Sequence, residues 1–133
     1  MMRGLVIHAA LLLVAGCATA ADREPSTGNK WLEGTWLMTG PDLEFPAACA
    51  SGLPITYDRR GTYSLFDESG TWELEGNRLS ETATEAHEDV IEPTEVQIGV
   101  TFVSRIQRRG RDMFRKTFAD GRTETFRRCP IVR

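Results

Sequence analysis

The chain has 133 residues, 41% hydrophobic and 26% charged, a balance ordinary for a globular protein and a length that suits one domain rather than two. Its formal net charge of −3 excludes the strong basic excess that marks a general nucleic-acid binder. The three cysteines, Cys17, Cys49 and Cys129, are an odd count, so an exported chain would have one thiol to account for.

The first residues have the layout of an export signal. Arg3 supplies the positive start, and residues 5–14 supply an apolar run interrupted by His8. The run is shorter than the roughly 20 apolar residues that cross a bilayer, and it predicts a signal peptide helix within 1–16. Ala18-Thr19-Ala20 offers an ordinary signal peptidase its A-x-A pattern. Val14-Ala15-Gly16-Cys17, however, resembles the bacterial lipobox at all four positions: a branched apolar residue, two small residues, then Cys. That resemblance implies a diacylglycerol on the Cys17 sulfur and cleavage just before it, which makes Cys17 the lipid attachment point and the first mature residue. Ala18, where an Asp would redirect sorting, implies by the same resemblance to Gram-negative lipoproteins an outer-membrane location facing the periplasm.

Residues 18–30 are polar, contain Pro25 and Gly28, and show no apolar period. With Cys17 they predict a flexible tether over 17–30, the alternative being a first edge strand. From Trp31 the pattern changes to short apolar–polar alternation between turns, which sets the folded domain at 31–133. KWLEGTWLM is the first strand, with Leu32, Gly34, Trp36 and Met38 on one face. Residues 40–52 read as a loop. LPITYD (53–58) and GTYSLF (61–66) flank a tight turn at DRRG, and DESG (67–70) is expected to turn into TWELE. EGN (75–77) leads into RLSETAT, and residues 85–95 form an acidic loop near Pro93. VQIGVTFVSRIQR (96–108) is the longest strand signal, with Val96, Ile98, Val100, Phe102 and Ile106 in one parity. MFRKTF (113–118) and RTETFRRC (122–129) are joined by an Asp-Gly hairpin turn. No stretch after the signal holds a helical period over ten residues. Seven or eight strands with short turns predict an all-β antiparallel meander, and closure into a small barrel would remove its edges.

Gly-Thr-aromatic recurs at Gly34-Thr35-Trp36, Gly61-Thr62-Tyr63 and Gly70-Thr71-Trp72. The second and third copies read as turn chemistry, with Gly leaving the turn and Thr starting the strand. The first, a Gly-x-Trp on the first strand of an antiparallel barrel, is similar to the lipocalin and wider calycin pattern. That resemblance implies that Trp36 closes one barrel end and that a basic side chain of the last strand packs across it, a cation–π contact of order ~1 kcal/mol. With Phe126 inward, Arg128 shares its face and is the candidate partner. The resemblance also implies a ligand-binding interior, with Trp36, Tyr63, Leu65, Trp72 and Phe102 as candidate lining residues.

With Cys17 acylated, Cys49 and Cys129 are left as an even pair in an oxidising compartment, and a disulfide between them is expected, two free thiols being the alternative. No catalytic set is expected. His87 is the only histidine after the signal, and neither a Gly-x-Ser-x-Gly elbow nor a phosphate-binding glycine loop occurs. Glu85, His87, Glu88 and Asp89 cluster like metal ligands, but one histidine on an acidic loop reads as a solvated loop, so neither metal nor cofactor is expected. Charge is unevenly spread: residues 67–95 hold ten acids and one base, and residues 105–133 hold ten bases and three acids. Cross-strand pairing between the two segments would absorb this, and a basic face meeting an anionic surface is the alternative.

These readings combine into a membrane-anchored, non-enzymatic envelope lipoprotein with a lipocalin-like barrel. It would bind a small apolar or amphipathic ligand. The alternative is a protein–protein module of the envelope, such as a hydrolase inhibitor or assembly accessory, acting through loops 40–52 or 85–95.

Overall fold

The computed structural model describes residues 30–41, 43–51, 54–87 and 96–131. The export signal, Cys17 and the tether through residue 29 lie outside the described residues, as do Glu88, Asp89 and the rest of the acidic loop through residue 95.

Alternating sequence and frequent turns produce eight strands: β1 (Gly34–Met38), β2 (Ile55–Tyr57), β3 (Thr62–Ser64), β4 (Glu68–Glu75), β5 (Arg78–Ala86), β6 (Thr101–Arg108), β7 (Met113–Phe118) and β8 (Thr123–Arg128). Each pairs antiparallel with the next, and β1 pairs with β8 at Trp36–Arg128, Leu37–Arg127 and Met38–Phe126, so the meander closes into a barrel with no free edge. The β2–β3, β4–β5 and β6–β7 turns therefore share one end with the start of β1 and the end of β8. The β1–β2, β3–β4, β5–β6 and β7–β8 connections share the other.

Side chains alternate in and out along each strand, and every strand supplies the core: Trp36, Ile55, Tyr57, Tyr63, Leu74, Leu79, Ile106, Phe114 and Phe126 form one buried cluster with Leu32. Rings set its order. The centroids of Trp36 and Phe114 lie 4.9 Å apart edge to face, and Phe114 stacks on Phe126 at 4.8 Å. Burying each such side chain contributes about 1.5–3 kcal/mol.

The 40–52 loop holds a 3-10 turn, Ala47–Ala50, whose Cys49 is disulfide-bonded to Cys129 just after β8, with Cα atoms 5.9 Å apart. The loop shields the outside of β1 and β8. Arg127, opposite Leu37 in the register, holds its guanidinium 3.9 Å from the Phe45 ring centroid, and Leu37 is buried although it faces away from Trp36.

Two expected boundaries move. DESG is not the turn. The chain reverses at residues 65–67, where Leu65 N–H donates to the Glu68 carbonyl at 2.8 Å, and Glu68, Ser69 and Gly70 already belong to β4. Gly70 faces inward where strands approach closely, beside a register shift at Ser69/Gly70. A Cβ there would lie 2.0 Å from the Thr82 carbonyl oxygen and 2.8 Å from the Tyr63 ring, so the third Gly-Thr-aromatic records close packing and not a turn exit. In VQIGVTFVSRIQR, residues 96–100 are not strand. Gly99, at φ +79°, bends the chain, and its N–H donates to the Ala83 carbonyl. The strand begins only at Thr101.

Gly70→Ala should lower stability by about 3 kcal/mol, the upper range for overpacking, because the obstructing atoms include backbone. Urea unfolding would show it, and an unchanged midpoint would mean that β5 can yield. Reducing the Cys49–Cys129 bond, which spans 80 residues, should cost about 4–5 kcal/mol by the chain-entropy relation. Intact mass before and after reduction, with unfolding in both states, measures it.

Candidate functional site

One end of the barrel is sealed. Residues 30–33 turn across it, placing Leu32 in the core and Trp31 edge-on to both Trp36 (6.4 Å) and Phe114 (5.9 Å). The Trp36 indole N–H donates to the Leu32 carbonyl at 2.8 Å, which satisfies its one polar atom in the core. The Arg128 guanidinium lies 4.1 Å from the Trp36 ring centroid and donates to the carbonyls of Glu33 (2.8 Å) and Trp31 (2.6 Å). Gly34 leaves room for it: a Cβ there would stand 2.7 Å from the nearer guanidinium nitrogen. Gly34, Trp36 and Arg128 thus form one device. Arg108 covers Trp31 from outside, 5.5 Å from its ring, and a groove of about 470 Å³ runs between Trp31, the Gly76–Asn77 turn, Arg105 and Arg108.

Toward the other end the interior becomes polar. Glu81 on β5 accepts from the Tyr57 hydroxyl and from the Lys116 ammonium, each at 2.5 Å, and all three residues are buried. The Tyr63 hydroxyl donates to Glu68 at 2.8 Å. Burial, reinforced by the negative charge of Glu81, holds the Tyr57 hydroxyl well above its ordinary pKa. Burial and the hydrogen bond to Glu68 do the same for Tyr63. Ser104 Oγ, also inward, is the one buried side-chain polar atom among the described residues without a partner. Sequence reasoning missed this layer, although strand parity carried the signal. Glu81 sits between Leu79 and Ala83, and Lys116 between Phe114 and Phe118, each in the inward register.

The opposite rim carries exposed apolar side chains. Met38, Phe66, Ile98, Val100 and Phe102 lie at or near strand ends here, and all are exposed; of the other exposed large apolar residues described, Val103 lies along β6, and Met113 and Ile131 lie at the sealed end. Of the five candidate lining residues, Trp36 and Tyr63 are buried in the core cluster, and Leu65 and Trp72 are partly buried against it. Trp72 packs 5.5 Å from Tyr57 and donates to the Asp58 carbonyl. Phe102 has inward parity opposite Glu81 but is 54% exposed, because it stands at the start of β6 where the wall ends. Glu85, next to last in β5, is exposed, and His87 places its Nδ1 3.2 Å from the Phe66 carbonyl. Among the described residues no three His, Cys, Asp or Glu side chains gather as a metal site would require.

The unequal charge distribution is not absorbed by pairing across strands. Among the described residues only Glu81–Lys116 joins the acidic segment to the basic one, inside the barrel. The other ion pairs, Arg122–Asp120 and Arg128–Asp112, lie within the basic segment. In the β5–β6 register Arg78 stands opposite Arg105, like charge against like. The acids and bases are blocked along the chain, and the strand order brings the basic turns β2–β3 and β6–β7 to one end of the barrel.

Fold and site together define a small closed antiparallel barrel, sealed by an Arg–Trp lid, with a charged layer within and an apolar rim. No family model matches the chain, and no curated protein matches it.

Tyr57 and Tyr63 are the only tyrosines in the chain, and both are buried. Each folded-state pKa lies above the unfolded value of 10.0. Below pH 10 their contribution to stability is fully present, and it falls as pH rises past 10 toward the folded values. Tyrosinate absorbance near 295 nm should therefore stay absent from the native barrel at pH 10 and rise only together with loss of the near-UV circular dichroism. Ordinary titration of either tyrosine in the folded state would contradict the burial described here.

Proposed function

We propose that this chain is a non-enzymatic, outer-membrane lipoprotein, anchored through acylated Cys17, whose lipocalin-like barrel uses the rim opposite its sealed end to bind another protein of the envelope. The observation that carries this reading is the exposure of Met38, Phe66, Ile98, Val100 and Phe102, five of the eight exposed large apolar residues described, at one end of a barrel whose core rings pack on each other. Exposed apolar side chains gathered at one end are the usual mark of a binding surface. Rings already in mutual contact at 4.8–5.5 Å have little surface left for a ligand, which moves weight from an interior site to the rim. The Gly-x-Trp and its arginine support the lipocalin-like description, and fold likeness by itself assigns no partner.

A second reading keeps the amphipathic ligand. It is favoured by the unpartnered Ser104 Oγ and the charged layer of Glu81 and Lys116, which could meet a polar head group entering past Phe102.

A photo-crosslinking side chain placed at Phe66 or Phe102 in cells should give a discrete protein adduct, while the same group at Arg115 on the outer wall should give none. Phe102→Ser should weaken that contact by roughly 30-fold, as for a central apolar anchor. Absence of any rim adduct, together with an amphipathic molecule retained on native mass spectrometry, would replace this reading with the ligand carrier.

A further inference from the structure

The sealed end of the barrel is also its basic end. Three turns meet there, and they carry Arg59 and Arg60 (β2–β3), Arg78 (β4–β5), and Arg108, Arg109 and Arg111 (β6–β7). All six side chains are exposed, and none forms an ion pair among the described residues. Four acids, Glu33, Asp58, Glu75 and Asp112, stand at this end against the six arginines, and two of the four are engaged elsewhere. The Asp58 carboxylate accepts from the amides of Arg60 and Thr62, which hold its pKa below the usual value, and Asp112 pairs with Arg128. At the opposite end the balance reverses: Glu44, Asp67, Glu68, Glu85 and Asp120 stand against Arg122, which is itself paired with Asp120.

The described chain also begins at this basic end. Lys30 opens the turn that crosses it, its carbonyl accepting from Glu33 N–H, and Trp31 is already packed under Arg108. Whatever precedes residue 30 must reach the barrel here.

We propose that the sealed, arginine-bearing end is a docking surface for an anionic lipid bilayer, so that the barrel stands on the membrane with its opposite rim pointing away. The inference rests on the anchored reading for its biological setting, and on charge and topology for its geometry. Basic residues near an anionic leaflet attract it by about 1 kcal/mol each, and the attraction falls off within a Debye length. Arginines on turns at one end can lie within that distance together, whereas arginines around a barrel wall cannot. The tether enters at the same face, so anchoring and electrostatic attraction favour the same orientation. The apolar rim is then held clear of the surface that would otherwise bury it.

The test uses the barrel, residues 30–131, which contains every strand, the whole core cluster and the disulfide. Its sedimentation with phosphatidylglycerol-rich vesicles is compared with that on phosphatidylcholine vesicles at low and high salt. Binding should require phosphatidylglycerol and vanish at high salt. Arg109→Gln with Arg111→Gln should lower the low-salt partition about 30-fold. Arg115→Gln with Arg122→Gln, the same change in net charge on the wall and at the acidic end, should lower it no more than a few-fold. Equal losses from the two pairs, a larger loss from the second, or no preference for phosphatidylglycerol would overturn the proposal. Because this protein carries no lipid, the result is separate from the anchor: intact mass of the full-length cellular protein tests acylation at Cys17, and either can fail alone.

Discussion

The stacking of Arg128 on Trp36 is the interaction on which the rest of the barrel depends. Closure of an eight-stranded meander requires its first and last strands to find each other across nearly the whole domain, and such non-local pairing carries a large loop-closure cost. Here the β1–β8 seam is short, running from Trp36 to Met38. Arg128 strengthens it at one end. Its guanidinium covers the indole and spends two donors on the backbone that has just crossed the barrel mouth. A lysine could supply the charge but not the planar face and the fork of donors. Gly34 is bound into the same arrangement, since any side chain there would occupy the guanidinium's place. The disulfide secures the neighbouring stretch, one residue beyond Arg128, where Cys129 N–H also donates to the Thr35 carbonyl. Ring stacking, backbone hydrogen bonds and a covalent bond all act on one seam.

Behind that seam the interior is layered. Aromatic rings fill the sealed end, and a buried carboxylate, an ammonium and a phenol occupy the next layer. A buried ion pair is weak evidence of stability, because desolvation offsets the attraction. Glu81 here accepts from two donors, and Lys116 has the Phe118 and Phe126 rings 5.4 and 5.9 Å away, so neither charge faces bare hydrocarbon. The arrangement ties β2, β5 and β7 together through the barrel's middle, where strands that are not neighbours in the sheet share no backbone hydrogen bonds. A polar layer of this kind also fixes register, since a one-residue slip of β5 would turn Glu81 outward and leave Lys116 buried alone.

Much of this architecture was legible in the sequence because it is local. Period-two alternation and Gly-bearing turns marked the meander, and strand parity placed Phe126 and Arg128 on one face. The errors were also local, at glycines. Gly70 and Gly99 have no side chain with which to distinguish a turn from a tight strand crossing. Only the approach of Thr82 to one and the positive φ of the other separate them. Phe102, a candidate lining residue, has inward parity yet is exposed, because parity says which way a side chain points and not how much of it neighbouring side chains cover. Glu81 and Lys116 are 35 residues apart, and neither lies in a motif. Their partnership follows from barrel closure, which no short window of sequence contains.

Barrel topology also explains why charge that looks blocked along the chain becomes polar in space. In an up-and-down meander, alternate turns fall at opposite ends. The basic turns at residues 58–61 and 108–112 are β2–β3 and β6–β7, both at the sealed end, while Asp67, Glu68 and Glu85 stand at the other. An even number of strands brings the start of β1 and the end of β8 to the same end as those basic turns. The arginines, the entry of the chain and the Arg128 lid therefore coincide as a consequence of strand count and order. At the other end Met38, Phe66, Ile98, Val100 and Phe102 are exposed, and the two ends of one small barrel differ in chemistry.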